Sequence, residues 1–190
     1  MNLKYTLWGI AFIALVTACN RNNDPCENVV CSNGGVCSEG ICLCEEYYYG
    51  PYCDNYCVNG EFDSTCVCNT GYEGEACETE EREKFVGTHS VHEECITSTQ
   101  DYFYTVVIKE GNQGIRSIEI HNFRDDETYA PVEAYLTSST EFVIDPQKPK
   151  GSQELSGNGY INDTRDTIII NYELKASQGS NKEICTMRLY

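Results

Sequence analysis

Cysteine is the residue type in this 190-residue chain with the greatest capacity for chemistry. There are 13 of them, and thiols at such density either bind metal or oxidise to disulfides. Their order is Cys19; then Cys26, Cys31, Cys37, Cys42, Cys44 and Cys53; then Cys57, Cys66, Cys68 and Cys77; then the widely separated Cys95 and Cys185. These spacings argue for disulfides and therefore for export to an oxidising compartment. Setting Cys19 aside leaves an even dozen that can all pair. No metal site is expected, because a zinc cluster would need thiolates that the disulfides consume. The three histidines, His89, His92 and His121, do not assemble a site by spacing either. His89 and His92 differ by an odd number and point to opposite faces of one strand. The run Asp125-Asp126-Glu127 reads as an exposed acidic loop, and Asn162-Asp163-Thr164 fits a glycosylation sequon. No nucleophile elbow, phosphate loop or HExxH is present, so no catalytic residue is assigned and no enzyme is expected.

The elements that would position these side chains follow from composition. A formal charge of -17 repels a phosphate backbone, so nucleic acid is excluded as a partner. The chain is too apolar for disorder, and no apolar run reaches the roughly 18 residues of a membrane span. Between Asp24 and Glu81 lie ten cysteines, 13 acids and no Lys or Arg; from Arg82 onward come two cysteines, 17 acids and 11 bases. The first stretch is a disulfide scaffold, too small to be held by apolar burial alone. The chain therefore divides into a signal peptide (1-18), a lipidated tether (19-23), two small disulfide-rich segments (24-54 and 55-81) and a larger C-terminal domain (82-190).

At the amino terminus, Lys4 precedes the apolar stretch Tyr5 to Val16, the proportions of a secretory signal. It ends in Val16-Thr17-Ala18-Cys19, which resembles the bacterial lipobox. The resemblance implies a diacylglyceryl group on the Cys19 thiol, cleavage just before it and acylation of the new amino terminus. Two or three chains, at about 0.8 kcal/mol per buried methylene, anchor stably where one does not. Asn20 implies, on the same resemblance, onward transport to the outer membrane.

The six cysteines from Cys26 to Cys53, with the turn Cys31-Ser-Asn-Gly-Gly-Val-Cys37, resemble the EGF-like module in the compact form of tenascin-type repeats. Six cysteines permit fifteen connectivities. The resemblance implies one of them: Cys26 to Cys37, Cys31 to Cys42 and Cys44 to Cys53. Gly34 and Gly35 are expected to supply positive φ in the turn. From Cys57 to Cys77 only the closing half of a second module is present, with Cys68-Asn-Thr-Gly-Tyr-Glu-Gly-Glu-Ala-Cys77 resembling its ending. The missing cysteines leave the pairing there open; the simplest repair is Cys57 to Cys66 with Cys68 to Cys77, and a laminin-type reading implies the same pairs. Tyr47, Tyr48, Tyr49, Tyr52, Tyr56, Phe62 and Tyr72 either cover the disulfides or form an aromatic binding patch. Asn22, Asp24 and Glu27 offer hard oxygen donors, but Pro25 stands where the calcium-binding pattern prefers an acid or amide, so neither calcium nor any other cofactor is expected.

From residue 85 onward eight runs of alternating apolar and polar residues recur: Phe85 to Val91, Tyr102 to Lys109, Ile115 to His121, Val132 to Leu136, Glu141 to Asp145, Leu155 to Ile161, Thr167 to Leu174 and Ile184 to Leu189. Short loops join them, Pro146 to Gly151 and Gln178-Gly179-Ser180 among them. The fold class is thus mostly β: small disulfide-rich modules plus an antiparallel eight-stranded barrel or sandwich. If the first and last strands are neighbours, Cys95 and Cys185 can link the ends of the domain. Gly87-Thr88-His89 resembles the glycine, any residue, tryptophan opening of lipocalin-like calycins, with His89 in place of the tryptophan.

These readings converge on a lipid-anchored cell-envelope protein, placed at the outer membrane or cell surface. Its expected role is noncatalytic binding, adhesion or scaffolding toward a protein or glycan partner. The alternative is a lipocalin-like carrier of a small apolar ligand, since eight strands can just enclose one.

Overall fold

A computed structural model describes residues 24–176 and 182–190. The signal peptide, the tether with Cys19, and the loop residues Gln178, Gly179 and Ser180 lie outside the described residues. The chain falls into two compact units divided after Tyr56.

In the first unit, three disulfides do the work of a core: Cys26 bonds Cys37, Cys31 bonds Cys42 and Cys44 bonds Cys53. Two hairpins follow Cys26 and Cys31: β1 (Val36–Ser38) with β2 (Ile41–Leu43), which carry Cys37 and Cys42, and, after Cys44, β3 (Tyr48–Tyr49) with β4 (Asn55–Tyr56), whose connection carries Cys53. The hairpin β1–β2 turns on Glu39 and Gly40, both at positive φ, the signature of a tight turn whose twist matches its strands. In the CxNGGxC turn the positive φ values fall on Asn33 and Gly34 rather than on both glycines. Gly35 is needed for another reason: a Cβ there would sit 2.7 Å from the Cys53 sulfur.

The second unit begins at Cys57. Its opening segment holds β5 (Gly60–Asp63) paired with β6 (Thr65–Cys68), and β7 (Tyr72–Glu73) paired with β8 (Thr79–Glu80), tied by Cys57–Cys66 and Cys68–Cys77. This segment is fastened to the β sheet that follows. The buried Arg82 donates from Nη1 to the carbonyls of Gly111, Gly114 and Ser117 at 3.1–3.3 Å, and pairs with Glu80 and Glu110. Arg116 reaches back to Glu81 at 2.6 Å. A guanidinium presents five donors in a fixed fork, so one side chain can close several carbonyls of a loop at once.

The rest is a closed antiparallel barrel: β9 (Gly87–Cys95), β10 (Tyr102–Glu110), β11 (Ser117–His121), β12 (Val132–Leu136), β13 (Glu141–Lys150), β14 (Gln153–Ile161), β15 (Ile168–Lys175) and β16 (Lys182–Leu189). Each strand pairs with the next, and β16 returns to β9, so the barrel reading holds over the sandwich. Strand alternation sets the core: Val106, Ile108, Ile118, Ile120, Val132, Ala134, Phe142, Ile144, Ile168 and Ile170 point inward and are buried. Residues 146–150 are not the loop that Pro146 and Pro149 suggest. They continue β13 through two register shifts, because a proline's missing N–H is tolerated where a bulge already interrupts the ladder.

Two phenylalanines outside the strands fill the barrel's ends. Phe85 lies in the turn before β9 and packs edge-on against Phe142, with ring centroids 5.4 Å apart. Phe123 sits in a 3-10 turn (Phe123–Asp125) against Tyr172 at 4.9 Å. Each is fully buried, worth about 1.5–3 kcal/mol in apolar transfer. Mid-barrel, Gly159 leaves room for the Phe142 ring, which a Cβ would meet at 2.1 Å. The interior is thereby packed with side chains.

Candidate binding surfaces

The twelve cysteines from Cys26 to Cys185 are all in disulfides, so their sulfurs are not free to ligate a metal. Cys95 and Cys185 are direct partners across β9 and β16, with Cα atoms 4.0 Å apart. Outside the barrel His92, Glu94 and Asp101 come together, with His92 Nε2 at 3.2 Å from Asp101. Arg188 lies on Glu94 at 2.5 Å and neutralises it, and Phe103 stacks on the His92 ring.

His89 and His92 face opposite sides of β9. His89 is committed at Nε2 to the Phe85 carbonyl, 2.9 Å away, and His121 contacts Glu119 at 3.2 Å. Two residues of the acidic run are partnered: Lys150 and Thr128 hold the Asp126 carboxyl down to about 2, and Asp125 accepts from the Asn122 amide. Asn162 of the sequon spends its amide on Thr164 and Asp166, both at 2.7 Å.

Sequence reading passed over one group. Glu93 points into the barrel between Val91 and Cys95, only 1% exposed. Its carboxylate accepts the Tyr104 hydroxyl at 2.5 Å and the Tyr172 hydroxyl, and Arg124 Nε lies at 3.6 Å. Arg124, itself at φ 60, is clamped by Glu183 through two hydrogen bonds of 2.7 and 3.2 Å. Asn122 and Asp125 are also left-handed, a local cost of about 1–3 kcal/mol per residue that the burial of Phe123 and this ion pair offset. The signal was present in the sequence: alternation places Glu93 on the inward face, where a carboxylate requires partners.

Burial, and next the Glu93 charge, push the Tyr104 and Tyr172 hydroxyls well above the ordinary tyrosine range. Near pH 10 the unfolded chain gives up these protons while the folded barrel keeps them. Stability contributed by the pair is therefore complete below about pH 10 and falls as pH rises beyond it. The slope above that point should be about 1.4 kcal/mol per pH unit for each tyrosine. Urea denaturation between pH 9 and 11 checks this, and Tyr172→Phe should remove about half the slope.

The surface of the first unit is of another kind. Tyr47, Tyr52 and Tyr56 are about half exposed, and Val36, Ile41 and Leu43 stand out from one face of the β1–β2 hairpin at 60% or more. Tyr48 is partly exposed and Tyr49 half-buried. In the second unit Phe62 is exposed and Tyr72 half-buried. From Asp24 to Tyr56 no Lys or Arg occurs, so the exposed apolar and aromatic groups there are set among carboxylates alone.

Comparison with known proteins bears on this unit. Residues 24–53 match the EGF-like domain family. Over 83 residues the chain is 34% identical to a Neurogenic locus notch homolog protein of Giardia intestinalis, covering 44% of this chain and 10% of that protein. Over 57 residues it is 40% identical to Protein irg-7 of Caenorhabditis elegans, covering 27% of this chain and 3% of that one. The chain thus spans a tenth or less of the length of these curated relatives. No solved structure matches it.

Proposed function

We propose that this chain is a lipid-anchored protein of the cell envelope, held through Cys19, that binds a protein or glycan partner through its EGF-like unit without catalysis. The observation that carries the reading is the exposure of Tyr47 and Tyr52, in the loop closed by the Cys44–Cys53 disulfide, and of Tyr56 in the short strand β4 beside it. An aromatic ring on a rigid loop loses little conformational entropy on binding, which favours recognition over folding as the reason for its exposure. Disulfide density fits an oxidising, extracellular or surface setting, and the EGF-like match fits the same placement. The lipocalin-like carrier draws less support, because Phe85, Phe123 and Phe142 occupy the space that a ligand inside the barrel would need.

Two measurements on the full chain test this. Cys19→Ser should release the protein from the membrane fraction and abolish incorporation of labelled palmitate. On protein and glycan arrays, the triple change Tyr47→Ser, Tyr52→Ser, Tyr56→Ser should lower binding at least about tenfold, the scale of one to two lost aromatic contacts. Full binding by the triple variant, with its disulfides intact, would sink the proposed surface.

A further inference from the structure

On the outer wall of the barrel, β9 and β10 bring three donors together beside the seam with β16. His92 and Glu94 are two apart on β9 and so share its outward face. The antiparallel register sets Phe103 against His92 and Tyr102 against Glu93, which brings Asp101 level with Glu94. An imidazole nitrogen and an oxygen from each carboxylate lie within 4.8 Å of one another. His92 Nε2 and Asp101 Oδ2 are 3.2 Å apart. Two ligands of one tetrahedral zinc, each at about 2.0–2.1 Å, stand roughly 3.3 Å from each other. This pair already has that separation.

The surroundings hold the donors in place. The Phe103 ring stacks on the imidazole at 4.7 Å and 4° from parallel, which fixes its plane. Arg188, opposite His92 on β16, takes one oxygen of Glu94 and leaves the other to a ligand, as outer partners of ligating carboxylates commonly do. Cys95, next to Glu94, is bonded to Cys185 and anchors that backbone. Two carboxylates against the Arg188 guanidinium leave one negative charge here, within a chain at -17, so the field favours a cation. An imidazole nitrogen beside carboxylate oxygens suits zinc or copper better than calcium or magnesium, which take oxygen ligands.

We propose that His92, Glu94 and Asp101 form a surface site for a divalent transition metal, zinc in the first instance, with the remaining coordination left to water. Asp101 only accepts, so Nε2 carries the proton in the metal-free protein; on binding, that proton passes to Nδ1 and Nε2 takes the ion. The expectation of no metal concerned thiolates and the spacing of the histidines, and neither bears on donors drawn from two strands. The site lies on the barrel wall and is independent of the EGF-like surface and of the lipid anchor.

The test is an NMR titration of the full chain, with Cys19→Ser to remove the one thiol outside the disulfides, against zinc, magnesium and calcium ions in turn. Zinc should shift the His92 ring and Asp101 amide signals saturably, with a dissociation constant on the order of 0.1 mM or tighter, the range of extracellular metal modules. Magnesium and calcium should bind at least about tenfold more weakly, which a group of carboxylates without the imidazole would not show. His121, with Glu119 at 3.2 Å but in no three-donor group among the described residues, is the internal control and should saturate at least about tenfold later. His92→Ala and Asp101→Asn should each weaken zinc binding at least about tenfold, with the signals of the barrel core unmoved. Arg188→Gln removes a positive charge next to the ion and should tighten binding at least about threefold. Equal affinity for zinc and magnesium, an unchanged affinity in His92→Ala or Asp101→Asn, no tightening in Arg188→Gln, or no saturable shift at about twenty times the expected concentration would each overturn the proposal.

Discussion

Glu93→Ala is expected to destabilise the barrel by about 3–5 kcal/mol, the range found when one partner of a buried, hydrogen-bonded charge cluster is removed. The loss comes less from the absent carboxylate than from what it leaves behind. Tyr104 and Tyr172 would retain buried hydroxyls with no acceptor at Glu93, and Arg124 would keep only Glu183. Glu93→Gln retains the shape and one acceptor oxygen, so its cost should be about 1–2 kcal/mol. The mechanism has a further signature. Changing Tyr104 and Tyr172 to Phe in the Glu93→Ala background removes the orphaned hydroxyls and should recover about 1–3 kcal/mol, whereas in the wild-type background the same two changes destabilise. Urea unfolding of the four proteins, with unchanged m-values, measures this coupling. A Glu93→Ala midpoint within error of wild type would show that the cluster contributes nothing to stability.

Opening the Cys95–Cys185 link by changing both residues to Ala should cost about 4–5 kcal/mol, the loop-closure entropy of a cross-link spanning 90 residues. That is a large share of the roughly 5–15 kcal/mol by which a domain of this kind is stable. The bond joins facing residues of β9 and β16, the pair whose hydrogen bonds close the barrel. Its loss therefore also loosens the seam and invites edge pairing between chains. The expected results are a fall in urea midpoint, faster amide exchange in β9 and β16 than in β13 and β14, and concentration-dependent aggregation on warming. A midpoint change worth less than about 1 kcal/mol would mean that the meander closes as firmly without its covalent link.

Much of the barrel was legible in the order of residues. Alternation has a period of two in any half-buried strand, so Val106 and Ile108, or Ile168 and Ile170, announce an inward face without reference to anything distant. Strand ends were less legible where local and tertiary preferences disagree. Pro146 and Pro149 carry loop propensity, yet the wall of the barrel continues through them because the bulges absorb the missing donors. Ile115 reads as the start of a strand, but it lies in the turn before β11, where it packs against Gly71.

Composition and spacing alone established that this is an all-β, acidic, disulfide-dense chain with an eight-stranded meander in its second part. Those properties are local: charge counts, cysteine density and strand period are carried by neighbouring residues. The closed seam between β9 and β16, the two phenylalanine plugs and the partners of Glu93 were settled only by three-dimensional packing. Each depends on residues from tens of positions apart meeting at one point, and whether a charge there is satisfied or left unpaired depends on the distances and burial that the folded chain imposes.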